Sequence, residues 1–217
     1  MKQPDFSKTI DAISFYVQPG DVLTTRSSAH GFFTWILYKA IIFSQWLKWR
    51  KSTHRPVQYR DIHAQLVLGD MRVLSVEWPI AVIRDLRISK RTKSISVCRF
   101  NSADFKWSDK QLETIHEVAS SIEGTRYDPG DIIDMGLRQL GYIPKRGRLF
   151  NFGAKRTVCS VGALLPLLAA WKKSNNRNIV ARPLGWQFAE DAKPADFRMH
   201  PTFVEIATFT RPKKGWA

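Results

Sequence analysis

Cysteine is scarce in this chain: the 217 residues hold two, Cys98 and Cys159, too few for a disulfide framework. Neither lies in a Cys-x-x-Cys or His-x-x-x-His setting and the five histidines are scattered, so no metal site is read and no cofactor is expected. Acidic residues are also few. Against 34 Lys and Arg there are 19 Asp and Glu, a net charge of +15. That surplus favours anionic partners. No zinc-finger spacing, aromatic single-strand motif or basic region followed by heptads accompanies it, which counts against nucleic acid. Repeats, low-complexity linkers and shifts of composition are missing too. One domain over residues 1–217 is therefore expected, with its core at about 20–209.

What is present is an ordinary globular balance, 44% apolar and 24% charged, with 8 Trp and 13 Phe to bury or to present. A short helix is expected from Asp5 to Phe15, broken by Pro19-Gly20, then a strand from Asp21 to Thr25. Gly31 to Trp49 is the most hydrophobic stretch. Wound as a helix, it gathers Thr34, Ser44, Gln45 and Lys48 into a narrow polar stripe, with Lys39 alone on the far side. A helix so apolar is expected to be covered by protein. Failing that, it would meet a protein partner or a membrane surface, and Lys39 argues against a spanning segment.

Ile62 to Glu77 reads as a β-hairpin. Ile62, Ala64, Leu66 and Leu68 share one face of its first strand; His63, Gln65 and Val67 share the other. On the second strand Leu74 and Val76 are apolar, while Val73, Ser75 and Glu77 are mixed. Like faces pair only when Leu66 stands opposite Leu74. That register implies a three-residue loop, Gly69-Asp70-Met71, and sets His63 opposite Glu77. Downstream, Ser94–Phe100 reads as a strand and Ser108–Ser121 as a helix. Asp128-Pro129-Gly130-Asp131 opens a helix running to about Gln139. Another follows near Val158 towards Trp171, with Pro166 expected to bend or interrupt it. Phe203–Phe209 is a last strand. Helices around hairpin-linked strands give an α+β class, an antiparallel sheet packed against helices.

Cys159 falls at the predicted start of a helix, after Lys155, Arg156 and Thr157, where dipole and cations favour thiolate. A small buried hydrophobe is the plainer reading of a cysteine, and it suits Cys98 in its strand. His63 beside Glu77 has the form of a general base held by a carboxylate, with Gln65 on the same face as fallback.

Taken in order, GDVLTTRSS (20–28), the hydrophobic helix, HAQLVLGD (63–70), VLSVEWP (73–79), RYDPGD (126–131), TVCSVGALL (157–165) and PADF (194–197) resemble the circularly permuted branch of the NlpC-type papain-like cysteine hydrolases. The resemblance implies a permuted papain-like fold with Cys159 as nucleophile, His63 as base and Glu77 as orienter. Tyr127, with the Cys159 backbone N–H, would assist the oxyanion, and Gln65 would face substrate. Asp21 and Asp196 match positions that look structural. Val158 before the cysteine, Ala64-Gln65 after the histidine and Pro166 depart from the family pattern. The implied activity is cleavage of an amide in peptidoglycan or another anionic envelope substrate; a lipid-directed acyl hydrolase or transferase and a silent structural component of a phage virion are the alternatives. Residues 1–20 show no secretory signal, so the expectation is synthesis in the cytoplasm and delivery by a phage particle or a secretion machine.

Overall fold

Alternation of apolar and polar residues along the strands is the pattern from which the sheet is built. The computed structural model describes residues 7–29, 31–49, 60–130, 132, 134, 142, 156–173 and 192–211. In chain order its elements are α1 (Ser7–Ser14), β1 (Val22–Ser27), α2 (Gly31–Trp49), β2 (His63–Gly69), β3 (Arg72–Val76), β4 (Ala81–Asp85), β5 (Thr92–Phe100), α3 (Asp109–Ile122), β6 (Arg126–Tyr127), β7 (Arg156–Thr157), α4 (Cys159–Lys172), α5 (Asp196–Met199) and β8 (Phe203–Thr210). The α+β class holds. Six strands form one sheet in the order β4-β3-β2-β1-β5-β8, every neighbouring pair antiparallel. A short parallel pair, β6 and β7, stands apart and leads into α4.

Side chains alternate across the sheet and divide the core in two. Val22, Ala64, Leu66, Leu74 and Cys98 face Ile115 and Ala119 of α3 and Ala163, Leu164 and Leu167 of α4. Leu23, Val67, Val73, Ile95 and Val97 face the other way, under Ile13 of α1 and the loop residues Leu86 and Ile88. Gly162 lets α4 lie close on β3, since a Cβ there would overlap the Val76 side chain. Pro166 sits inside α4 without ending it. The helix expected from Asp128 lies mostly outside the described residues; Pro129, Gly130, Ile132 and Asp134 are helical, and Asp128 Oδ1 accepts the Gly130 N–H at 3.0 Å.

Two expectations are corrected. Leu66 does stand opposite Leu74 and Gln65 opposite Ser75. The loop is not three residues, however. Asp70 and Met71 form a two-residue turn, both with positive φ (47° and 58°), as a type I′ hairpin turn requires. An irregularity between Val67 and Gly69, which then pairs with Arg72, takes up the odd residue as a bulge, at a glycine with φ 118°.

The second correction concerns α2. It is helical over Gly31–Trp49, but Thr34, Ser44 and Gln45 of its polar stripe face inward. Gln45 Nε2 donates to the Asp61 carbonyl at 2.8 Å, Gln45 Oε1 accepts the Ala195 N–H at 2.7 Å, and both Ser44 and Gln45 are buried. Saturating buried backbone groups of two loops outweighs hiding more apolar surface. The aromatic face is left outside.

Candidate active site

The start of β2 is held by a buried charge cluster. Asp61 Oδ2 accepts from Thr24 Oγ1 at 2.9 Å and lies 3.3 Å from Arg198 Nη1. Arg198 Nε in turn donates to Glu205 Oε2 at 2.7 Å. Burial pushes the Asp61 carboxyl up, against the Arg198 charge and the Thr24 hydroxyl. The Ile62 N–H then bonds the Thr25 carbonyl at 2.9 Å, and His63 pairs with Thr25 in the β1 register. The histidine is thus held at β1 by its pairing with Thr25 and by the Ile62 bond just before it.

His63 Nε2 lies 3.1 Å from Ser75 Oγ, and Gln65 Nε2 donates to the same hydroxyl at 3.0 Å. The expected hydrogen bond between His63 and Glu77 is replaced by this one. β3 ends at Val76, and the Glu77 carboxylate is clamped by Arg84 of β4, at 2.6 Å to Nη1 and 2.9 Å to Nη2. Burial, then the Arg84 charge, lowers the His63 imidazole to about 4. The ring is therefore neutral near neutral pH.

Cys159 begins α4, as expected, but the residue is only 3% exposed. Burial pushes it up to about 11, although the backbone N–H groups of Ala64, Ser160 and Cys159 pull the other way. The helix terminus acts as anticipated and desolvation wins. The Ala64 contact sets the sulfur against the β2 backbone, and Cys159 and Ala64 both belong to the core on the helix side of the sheet. Cys98, fully buried in β5, is driven well above its ordinary value, first by desolvation.

A cleft of about 300 Å³ gathers His63, Gln65, Glu77 and Tyr127, together with Tyr38 of α2 and Arg84. Four expected residues therefore share one cavity, and Cys159 is not among those that line it. The link is Tyr38, which lines the cleft and whose phenol is raised by desolvation and then by the charge a Cys159 thiolate would carry. Within the cleft Gln65 Oε1 and Arg84 Nε are buried with no partner. Among the described residues no group of His, Cys, Asp and Glu could hold a metal ion.

Sequence reasoning missed Ser75, Arg84, Arg198 and Tyr38. Ser75 was legible as a member of the His63 face. Tyr38 shares a helical face with Thr34, Ile41 and Gln45, a spacing open to inspection. Arg84 could not be placed because β4 was not recognised, and Arg198 meets Asp61 only through the tertiary fold. Asp21 is structural, as the resemblance implied, with Arg99 Nε at 2.9 Å and Nη2 at 2.8 Å from its carboxylate. Asp196 similarly accepts the Lys193 N–H at 2.8 Å. No family model matches the chain, and no curated protein or solved structure matches it significantly.

Proposed function

We propose that this chain is a thiol hydrolase of the permuted papain-like kind, cleaving an amide in the peptide part of bacterial peptidoglycan. The observation that carries the proposal is the cleft that gathers His63, Gln65, Glu77 and Tyr127, with the Cys159 sulfur at the start of α4 taking a hydrogen bond from Ala64 N–H of β2. With its proton on Nε2, His63 donates to Ser75 and keeps Nδ1 as the base. The pair rests as thiol and neutral imidazole. As Sγ attacks the carbonyl carbon, its proton passes to Nδ1. The amide C–N bond then breaks and the amine leaves with that proton. Water, deprotonated by His63, cleaves the thioester and restores the thiol. The Cys159 backbone N–H and the Tyr127 hydroxyl would supply the donors to the developing oxyanion, as the resemblance implies. Ser75 replaces Glu77 as the imidazole's partner. Glu77 instead neutralises Arg84 at the cleft wall, and the net charge of +15 concentrates the protein on an anionic wall.

The experiment is digestion of purified peptidoglycan by the wild type and by Cys159→Ala, followed by mass spectrometry of the muropeptides. New peptide termini with the wild type only are expected. None with the wild type, at a pH where its thiol alkylates, would overturn the assignment. A lipid-directed acyl hydrolase of the same fold is the second reading, favoured by the aromatic outer face of α2; release of fatty acid from vesicles would select it.

A further inference from the structure

α2 carries two opposed faces. Thr34, Leu37, Tyr38 and Ile41 look inward onto the cleft, and Ser44 and Gln45 are buried on the same side. Half a turn away, Phe32 (73% exposed), Trp35 (50%), Ile36, Phe43 and Trp46 stand in solvent. At 100° per residue these five fall in one stripe, which runs about 21 Å at 1.5 Å per residue. The rings are already ordered in pairs: Phe32 stacks on Trp35 at 6.2 Å between centroids and Phe43 on Trp46 at 5.9 Å. Lys39 lies within the stripe, its ammonium 5.7 Å from the Trp35 ring centroid.

We propose that this face docks on the headgroup layer of an anionic bilayer, with α2 lying in the plane of the surface. Three observations select that occupant. The helix has no carboxylate, and the sequence continuing from it holds Arg50, Lys51, Arg55 and Arg60 with no Asp or Glu before Asp61. Aromatic rings beside basic side chains are the composition that partitions to a membrane interface. No helix among the described residues is long and apolar enough to cross a membrane, and the inward face of α2 is occupied by the protein itself, so the helix contacts a bilayer from one side only. A second copy fits less well, because a two-fold contact would bring Lys39 to Lys39 between molecules that each carry +15. Docking here does not depend on the reaction proposed above.

The test is co-sedimentation of the full chain with vesicles of phosphatidylglycerol and phosphatidylcholine, or of phosphatidylcholine alone, at low and high salt. Binding to the anionic vesicles, weakened by salt, is expected. Trp35→Ser with Trp46→Ser should weaken it at least about tenfold while far-UV circular dichroism stays unchanged, because both residues stand on the outer face of the helix. Lys39→Glu should reduce the salt-sensitive part. Cys159→Ala should bind like the wild type, which separates docking from catalysis. Absence of binding to anionic vesicles, or equal binding by the double variant, would overturn the proposal. So would a concentration-dependent dimer in sedimentation velocity that dissolves in the double variant, since the face would then belong to a second copy.

Discussion

His63 Nε2 meets Ser75 Oγ at 3.1 Å, while the carboxylate that the hairpin pattern offers to the imidazole is held by Arg84. Orientation of the ring therefore depends on a hydroxyl. Ser75→Ala should lower kcat about tenfold or more with KM little changed, read on the muropeptide assay. Glu77→Gln acts differently. It strips Arg84 of its counter-charge and should push the imidazole further down, displacing the acid limb of the pH profile to lower pH.

Arg84→Gln makes the opposite prediction. With the guanidinium gone and Glu77 released, His63 should rise from about 4 towards its ordinary value. Burial, the larger cause, retains part of the shift. NMR titration of the His63 ring protons checks the direction directly.

Stability should carry the same signature. His63 titrates at about 4 when folded against 6.5 ordinarily, so between those values the unfolded chain binds the extra proton. Stability falls as pH drops through that window, by up to about 3 kcal/mol from this group. Urea midpoints at pH 7 and pH 4.5 measure it, and His63→Gln should flatten the dependence.

The thiols predict the alkaline side. Cys159 keeps its proton to about 11 when folded, above the ordinary 9.0, so the unfolded chain loses a proton first and stability declines as pH rises from 9 to 11. Iodoacetamide should label Cys159 slowly at pH 7, faster with rising pH, and always before Cys98. Cys98 reacting first in folded protein would contradict the placement of both.

Arg198 is the remaining test. It neutralises buried Asp61, two residues before His63. Arg198→Ala should cost about 3–5 kcal/mol by leaving that carboxylate unpaired. Partial recovery of Tm by adding Asp61→Asn would separate lost charge pairing from lost packing.

Much of this arrangement is written locally. Strand alternation placed His63, Gln65 and Ser75 on one face, turn chemistry marked Asp128, and the spacing of Gly31–Trp49 fitted a helix. What could not be read depends on partners distant in the chain. β4 is short, follows Trp78-Pro79 and has no clear alternation, so Arg84 and its claim on Glu77 were invisible. The direction in which α2 faces is set by two backbone groups, at Asp61 and Ala195, that Gln45 satisfies. Cys159 shows the same limit in energetic form: a helix terminus is a sequence feature, whereas the depth of desolvation is a property of the packed whole.

The hairpin turn has a consequence for how this chain can vary. Asp70-Met71 sets one count of residues and the bulge at Gly69 adds one more, so the parity of β2 against β3 is settled at the end of the hairpin far from the imidazole. Loss of Leu68 would remove the bulge and still leave Val67 opposite Val73, whereas loss of Asp70 or Met71 would destroy the two-residue turn. A single deletion should therefore be tolerated at Leu68 and rejected at Asp70 or Met71, a rule of spacing that deep sequencing of length variants would expose without any assay of chemistry.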